Sequence, residues 1–321
     1  VAHQYRSSSI GLLLDQEKAY DRIHPGYLRE IMSAFNVPDT LIHSITSLFF
    51  STQIQVNVNG HLTQSPIPQL RGLRQGDPLS PLLFNIAFDP FVRSIAQNSA
   101  FSGFRFENEI PASFRQDTVV DDLASLFEST HVTQSVDDLV VSFSRLLPFH
   151  DVPDFEEVTA IPCIDKISIL AYADDTLVLL RDHSDFNLLQ RAIDTYMKAS
   201  NALLNFSKTE AFSLSGSSLP AWQTFLSSVG ITSWHDRSSP SPLRYLGYPL
   251  CSSVTQRNVA FARIADSVRQ SCFLHSQRQL SIRGRATVLN TLIYSQLWHV
   301  LRLSCFTKSQ LTLLRGIGSS F

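Results

Sequence analysis

The sequence predicts an α/β chain of the α+β kind: an antiparallel sheet with helices, followed by a helical region. Three observations point there. The apolar run Ile10–Leu14 has strand length and ends at a carboxylate, Asp15. The apolar runs 167–170 and 177–180 flank Ala171-Tyr172-Ala173-Asp174-Asp175, the pattern of a β-hairpin with two acids at its turn. Between and after these strands lie segments of helical period, the last of them (256–315) rich in arginine.

The elements follow in order. Pro25 suits a first helical turn and opens a helix to residue 35, with Tyr27, Leu28, Ile31 and Phe35 on one face. A second helix follows Pro38 and runs to residue 50. Residues 53–59 alternate, placing Ile54, Val56 and Val58 on one side. Asn59-Gly60 makes a tight hairpin turn, and the return strand ends near Pro66. Residues 78–97 read as a long helix of Leu, Phe and Ile. After the 174–175 hairpin, residues 184–200 form a helix that buries Phe186, Leu189, Ile193 and Tyr196 or Met197. A strand at 210–214, a loop or short helix to 239, a strand at 244–248 and three helices over 256–315 complete the chain.

With 321 residues, 44% hydrophobic and 17% charged, the chain is long and apolar enough for two or three domain-sized units. Cysteines 163, 251, 272 and 305 form no C-x-x-C pair or Cys/His cluster. Reduced, mostly buried thiols are therefore expected, in an intracellular protein, nuclear or cytoplasmic. No apolar run reaches the roughly 18 residues of a membrane span, so no membrane partner is expected. The net charge of −2 conceals a strong asymmetry. Residues 107–160 hold twelve acids and two bases, a net −10; residues 237–321 hold eleven bases and one acid, a net +10. A basic tail suits a phosphate backbone, although a solvated helical surface gives the same pattern.

Paired aspartates occur three times, so pairing alone distinguishes nothing. Asp121-Asp122 and Asp137-Asp138 sit in helical patterns, where adjacent side chains diverge and face solvent. Asp174-Asp175 interrupts a run too apolar for a surface loop. Two carboxylates there cost repulsion and desolvation unless cations compensate. With Asp15, they suit a pair of divalent ions about 3.5–4 Å apart, the arrangement used for in-line phosphoryl transfer.

These residues also carry a family resemblance. Asp15-Gln16-Glu17-Lys18-Ala19-Tyr20-Asp21-Arg22, then Arg71-Gly72-Leu73-Arg74-Gln75-Gly76-Asp77-Pro78-Leu79-Ser80-Pro81, then Tyr172-Ala173-Asp174-Asp175 resemble, in order, palm motifs A, B and C of reverse transcriptases, nearest the LINE-type (non-LTR) retrotransposon enzymes. Residues 204–210 resemble motif D, residues 244–250 the primer-grip strand, and residues 280–286 the region after it.

The resemblance implies an RNA-directed DNA polymerase palm followed by a thumb-like helical region. It divides the chain into 1–106 and 164–239 as two parts of the palm, 107–163 as an acidic insertion, and 240–321 as primer grip and thumb. It implies two Mg²⁺ ions, with Mn²⁺ as the alternative, held by Asp15, Asp174, Asp175 and the Gln16 carbonyl. Tyr20 would wall off a 2′-hydroxyl, Gln75 and Gly76 would cover the incoming dNTP, and Lys208 would assist the departing pyrophosphate. Tyr245, Leu246, Gly247, Arg283 and Arg285 would meet the RNA template and DNA primer. About ten residues precede Asp15, so the chain reads as a piece lacking most of the fingers and the endonuclease. The alternative is a decayed or repurposed palm that binds nucleic acid or protein without polymerising. Oligomeric state is not legible.

Overall fold

The computed structural model describes residues 7–105, 166–304 and 306–321. Five strands form the central sheet, in the spatial order Ser233–His235, Glu210–Ser213, Ile10–Leu14, Asp175–Leu180, Ile169–Tyr172. Ile10–Leu14 lies in the middle, antiparallel to both neighbours, and only the pair 210–213 with 233–235 is parallel. The middle strand is apolar throughout because Ile10, Leu12 and Leu14 are all buried. Gly11 admits the Phe212 ring, which would lie 2.4 Å from a β-carbon placed there.

Helices Pro25–Ala34, Asp39–Phe50, Ser80–Ala96 and His183–Ser200 pack with this sheet into one core. Their apolar positions recur at helical spacing, which gives each a stripe to bury. Phe84, Phe88, Phe91 and Tyr196 form a run of ring contacts, at 5.7, 5.3 and 5.1 Å between successive centroids. Helix His183–Ser200 starts at Asp182, whose carboxylate accepts the Ser184 and Asp185 amides.

Three expectations need correction. The arm over residues 53–68 is four two-residue strands, Gln53–Ile54 paired with Ile67–Pro68 and Asn57–Val58 with His61–Leu62. The Asn59-Gly60 turn forms, but the ladder breaks where Thr63 Oγ1 takes the Val56 amide. The strand expected at 244–248 is instead a hairpin, Leu243–Tyr245 with Tyr248–Leu250. Leu246 and Gly247 both have positive φ, the requirement of a two-residue turn. Strand Ser233–His235 sits within the stretch read as loop or short helix, after helix Pro220–Ser228.

The tail has its own small core of Ala265, Val268, Cys272, Ile293, Leu297 and Leu314. Helices Val254–Ser276, Ile282–Val288, Ser295–Leu301 and Lys308–Ser319 supply it, with a π-helical turn, Leu289–Ile293, inside the middle stretch. Serines 253 and 281 and Thr307 cap their helices, as serine and threonine do best. Among the described residues no helix is long and apolar enough to cross a membrane. Cys272 is buried, but Cys251 is exposed, contrary to the expectation of mostly buried thiols; Cys163 and Cys305 lie outside the described residues.

The chain divides into two compact units, residues 1–104 with 166–321 and residues 105–165. The acidic segment with Asp121-Asp122 and Asp137-Asp138 lies outside the described residues. Within the first unit the two flanks of that segment are pinned together. Lys166 Nζ donates to the Asn98 and Phe101 carbonyls at 2.9 and 2.8 Å. The buried Asp185 carboxylate accepts the amides of Ser102, Gly103 and Arg181. Gly103 lies so close to Ile167 and Ser168 that a β-carbon would sit 2.7 Å from the Ile167 carbonyl oxygen.

Candidate active site

The site begins at the shared end of three adjacent strands. Leu14 faces Thr176, and Tyr172 faces Asp175 across the hairpin. Asp15 follows Leu14 directly, so one further step of the same register points it at Asp175. Ala173 and Asp174 form the turn, with Ala173 held at φ 52°, a region that L residues other than Asn and Asp rarely enter. Asp174 and Asp175 are exposed and Asp15 is half-buried.

The electrostatics join all three. The Asp175 carboxyl is pushed up from the ordinary range by partial burial, then by the negative charges of Asp174 and Asp15. No lysine or arginine pairs with any of the three among the described residues. Nor are three His, Cys, Asp or Glu side chains there drawn close enough to form a ready cage for a metal. The donor chemistry nonetheless suits Mg²⁺, which binds through one or two carboxylates and completes its shell with water and substrate phosphates. A cation bound there would relieve the repulsion that Asp174 and Asp15 exert on Asp175.

Residues 203–205 run beside residues 15–17. Gln16 and Leu204 form an antiparallel bridge, flanked by bonds from the Glu17 amide to the Leu203 carbonyl and from the Asn205 amide to the Asp15 carbonyl. Those bonds use residues on either side of Gln16, so this bridge leaves the Gln16 carbonyl free. Lys208 is exposed on a turn held by the Asn205 side chain, and it makes no ion pair among the described residues.

Tyr20 stacks on Phe84 at 4.6 Å and 14°, half-buried. Partial burial and then the Asp174 charge push its hydroxyl up, so the ring stands within electrostatic reach of the carboxylates. Motif B docks on motif A through two amides, Gly72 to Ile23 and Leu73 to Tyr20. Gly72, at φ 85°, presses on the Asp21 backbone, 2.6 Å from where a β-carbon would stand; no other residue fits. Gln75 and Gly76 follow, exposed, and Gly76 has positive φ with open space around it. Arg74 braces this loop, donating to the Leu48 carbonyl, Thr52 Oγ1 and Gln69 Oε1.

Tyr245 comes to the same place from the tail side. Burial, then the Asp175 charge, raises its hydroxyl. Asp15, Asp174 and Asp175 share one sheet end, and Tyr20 and Tyr245 lie near enough to feel their charge, with Leu246 and Gly247 in the turn after Tyr245. Arg283 and Arg285 are both exposed; Arg285 donates to the Phe321 and Leu280 main-chain oxygens, and the Arg283 side chain has no partner among the described residues. Sequence reasoning passed over Asp185, Arg74 and His299, since an acid in a first helical turn, an arginine in a loop and a histidine in a helix look like surface residues.

Asp15 and the Asp174-Asp175 turn share one end of the sheet, and the loop 71–79 docks beside them ahead of helix Ser80–Ala96. Residues 1–147 match the family model described as reverse transcriptase (RNA-dependent DNA polymerase). The "Transposon TX1 uncharacterized 149 kDa protein" of Xenopus laevis is 26% identical over 306 residues, 93% of this chain and 18% of that protein. A Pol polyprotein of the type-1 retrotransposable element R2 from Popillia japonica is 41% identical over 80 residues, 25% of this chain and 13% of its own length. These relatives bear out the resemblance to the non-LTR reverse transcriptases. The chain spans less than a fifth of the length of either. Among solved structures, telomerase from Candida tropicalis, in complex with a fragment of telomeric RNA, aligns over 100% of this chain and 41% of its own, at 11% identity and a TM-score of 0.42.

Proposed function

We propose that this chain is the polymerising part of an RNA-directed DNA polymerase, adding dNTPs to a DNA primer on an RNA template. The observation that carries the reading is the placement of Asp15 in register with Asp175 at one sheet end, with Asp174 in the adjoining turn. Asp15 and Asp174 would hold two Mg²⁺ ions, or Mn²⁺ in their place, with Asp175 beside them and the Gln16 carbonyl as a further ligand. Bound there, the ions supply the activated 3′-hydroxyl and the neutralised triphosphate that in-line transfer needs. The protein's own groups do the rest. Gln75 and Gly76 lie over the nucleotide, and Tyr20, stiffened by Phe84, excludes a 2′-hydroxyl. Lys208 gives charge or a proton to the departing pyrophosphate. Tyr245, Leu246 and Gly247 press on the primer end, and Arg283 meets phosphate. Arg285 keeps that role only through whatever its bonds to Phe321 and Leu280 leave free.

The repurposed-palm alternative differs in one measurable respect. Primer extension on poly(rA)/oligo(dT) with Mg²⁺ should give DNA synthesis that Asp174→Asn abolishes. A chain that binds the hybrid but never extends it would leave the binding-module reading in its place.

A further inference from the structure

We infer that His299 is a positioning residue for the primer end, fixing the 245–248 turn against the helical tail; the inference rests on the polymerase reading above. His299 lies in helix Ser295–Leu301, outside every motif that the sequence singles out. Its ring touches all three residues after Tyr245. Nε2 lies 2.8 Å from the Leu246 carbonyl oxygen, and because a carbonyl only accepts, Nε2 carries the hydrogen. Nδ1 lies 3.2 Å from the Tyr248 hydroxyl, and the two rings overlap at 4.1 Å and 32°. A β-carbon on Gly247 would sit 3.3 Å from Nε2, so the glycine lets the ring come close.

The turn needs such a support. Each strand of its hairpin has three residues, and an isolated two-stranded hairpin is marginal in water. Leu246, at φ 50°, holds a left-handed conformation that a branched side chain disfavours. Something outside the hairpin must over-determine it, and His299 supplies two hydrogen bonds and a tilted ring contact. The chain of contacts therefore runs from the tail, through His299, to the turn that follows Tyr245. His299 touches no reacting group itself, so its effect must be read at the primer terminus.

The test uses the full chain and an RNA–DNA hybrid carrying 2-aminopurine as the last primer base. Hybrid affinity is read by anisotropy, terminal-base stacking by fluorescence at saturation, and folding by thermal melting. In the wild type the bound terminal base should be quenched. His299→Ala should raise the misplaced fraction about tenfold, the scale of one lost hydrogen bond with its ring contact, while affinity changes less than about twofold. His299→Gln, whose amide can still donate to the Leu246 carbonyl, should restore much of the quenching, and Tyr248→Phe should fall between. If His299→Ala fails to melt cooperatively, the Gln and Phe variants decide. Hybrid binding with unchanged quenching in all variants overturns the role of His299 and leaves the polymerase reading standing. No hybrid binding by the wild type overturns both.

Discussion

The carboxylate of Asp185 accepts the amide of Gly103 at 2.9 Å, joining residues 82 apart in sequence at the point where the chain leaves the first unit. The same carboxylate takes Ser102 and Arg181, and Lys166 closes the returning end onto Asn98 and Phe101. The loop closure is thus made by the palm itself, whatever the length of chain between the two ends.

Replacing residues 106–165 with a short Gly/Ser connector should leave the first unit folded. Cooperative melting and an unchanged far-ultraviolet signal, corrected for length, are the expected outcome. Asp185→Ala in the same background should cost about 3 kcal/mol or more, because it strands buried amides. A deletion variant that no longer folds would show that the acidic segment is part of the palm.

For the sugar wall, Tyr20→Ala should retain DNA synthesis and admit ribonucleotides, whereas Tyr20→Phe should keep the selectivity. The ring, stacked on Phe84, is what occupies the space; the hydroxyl is not needed for bulk. The ratio of dNTP to rNTP incorporation measures this. An unchanged ratio in Tyr20→Ala would remove the assignment.

Asp175 is raised in the folded state, so its stabilising contribution is present at low pH and lost as pH rises through its folded pKa. In ion-free buffer at pH 7, Asp175→Asn should therefore melt above the wild type, and the gap should close as the medium is acidified. Mg²⁺, binding only the native state, should raise the wild-type midpoint more than the variant's. Identical Mg²⁺ responses in the two proteins would argue against a metal at this carboxylate.

Asp236 behaves in the opposite sense. Burial pushes its carboxyl up, but hydrogen bonds from the Ser238 hydroxyl, the Trp234 indole and the Ser238 and Ser239 amides outweigh that and hold it below the ordinary range. Its contribution is present above about pH 4 and disappears as pH falls through the lowered folded value. Urea midpoints of wild type and Asp236→Asn should differ by a constant amount from pH 7 to about pH 5 and converge toward pH 2. A difference that persists at pH 2 would assign the loss to geometry rather than to charge.

Much of this architecture can be read from residues alone, and the failures have physical causes. Ile10–Leu14 and the 174–175 hairpin declare themselves because an apolar run of strand length that stops at a carboxylate marks where a buried strand reaches solvent. Helix His183–Ser200 shows its buried face in Phe186, Leu189, Ile193 and Tyr196. The 245–248 turn hides because leucine at positive φ violates the local preference, and only the tail's contacts sustain it. Arg285 resembles Arg283 in sequence and is exposed like it. Asp185 reads as a solvated helix-start acid, because the amides that bury it come from 83 residues away.

The π-helical turn at Leu289–Ile293 sets an angular phase. Its bond from the Tyr294 amide to the Leu289 carbonyl spans five residues, so the helix carries one residue more than its winding needs. The widened turn absorbs that residue. One residue lost between it and His299 has no such absorber: it would rotate the His299 ring about 100° away from the Leu246 carbonyl, so the spacing from Ser295 to His299 is what the 245–248 turn depends on.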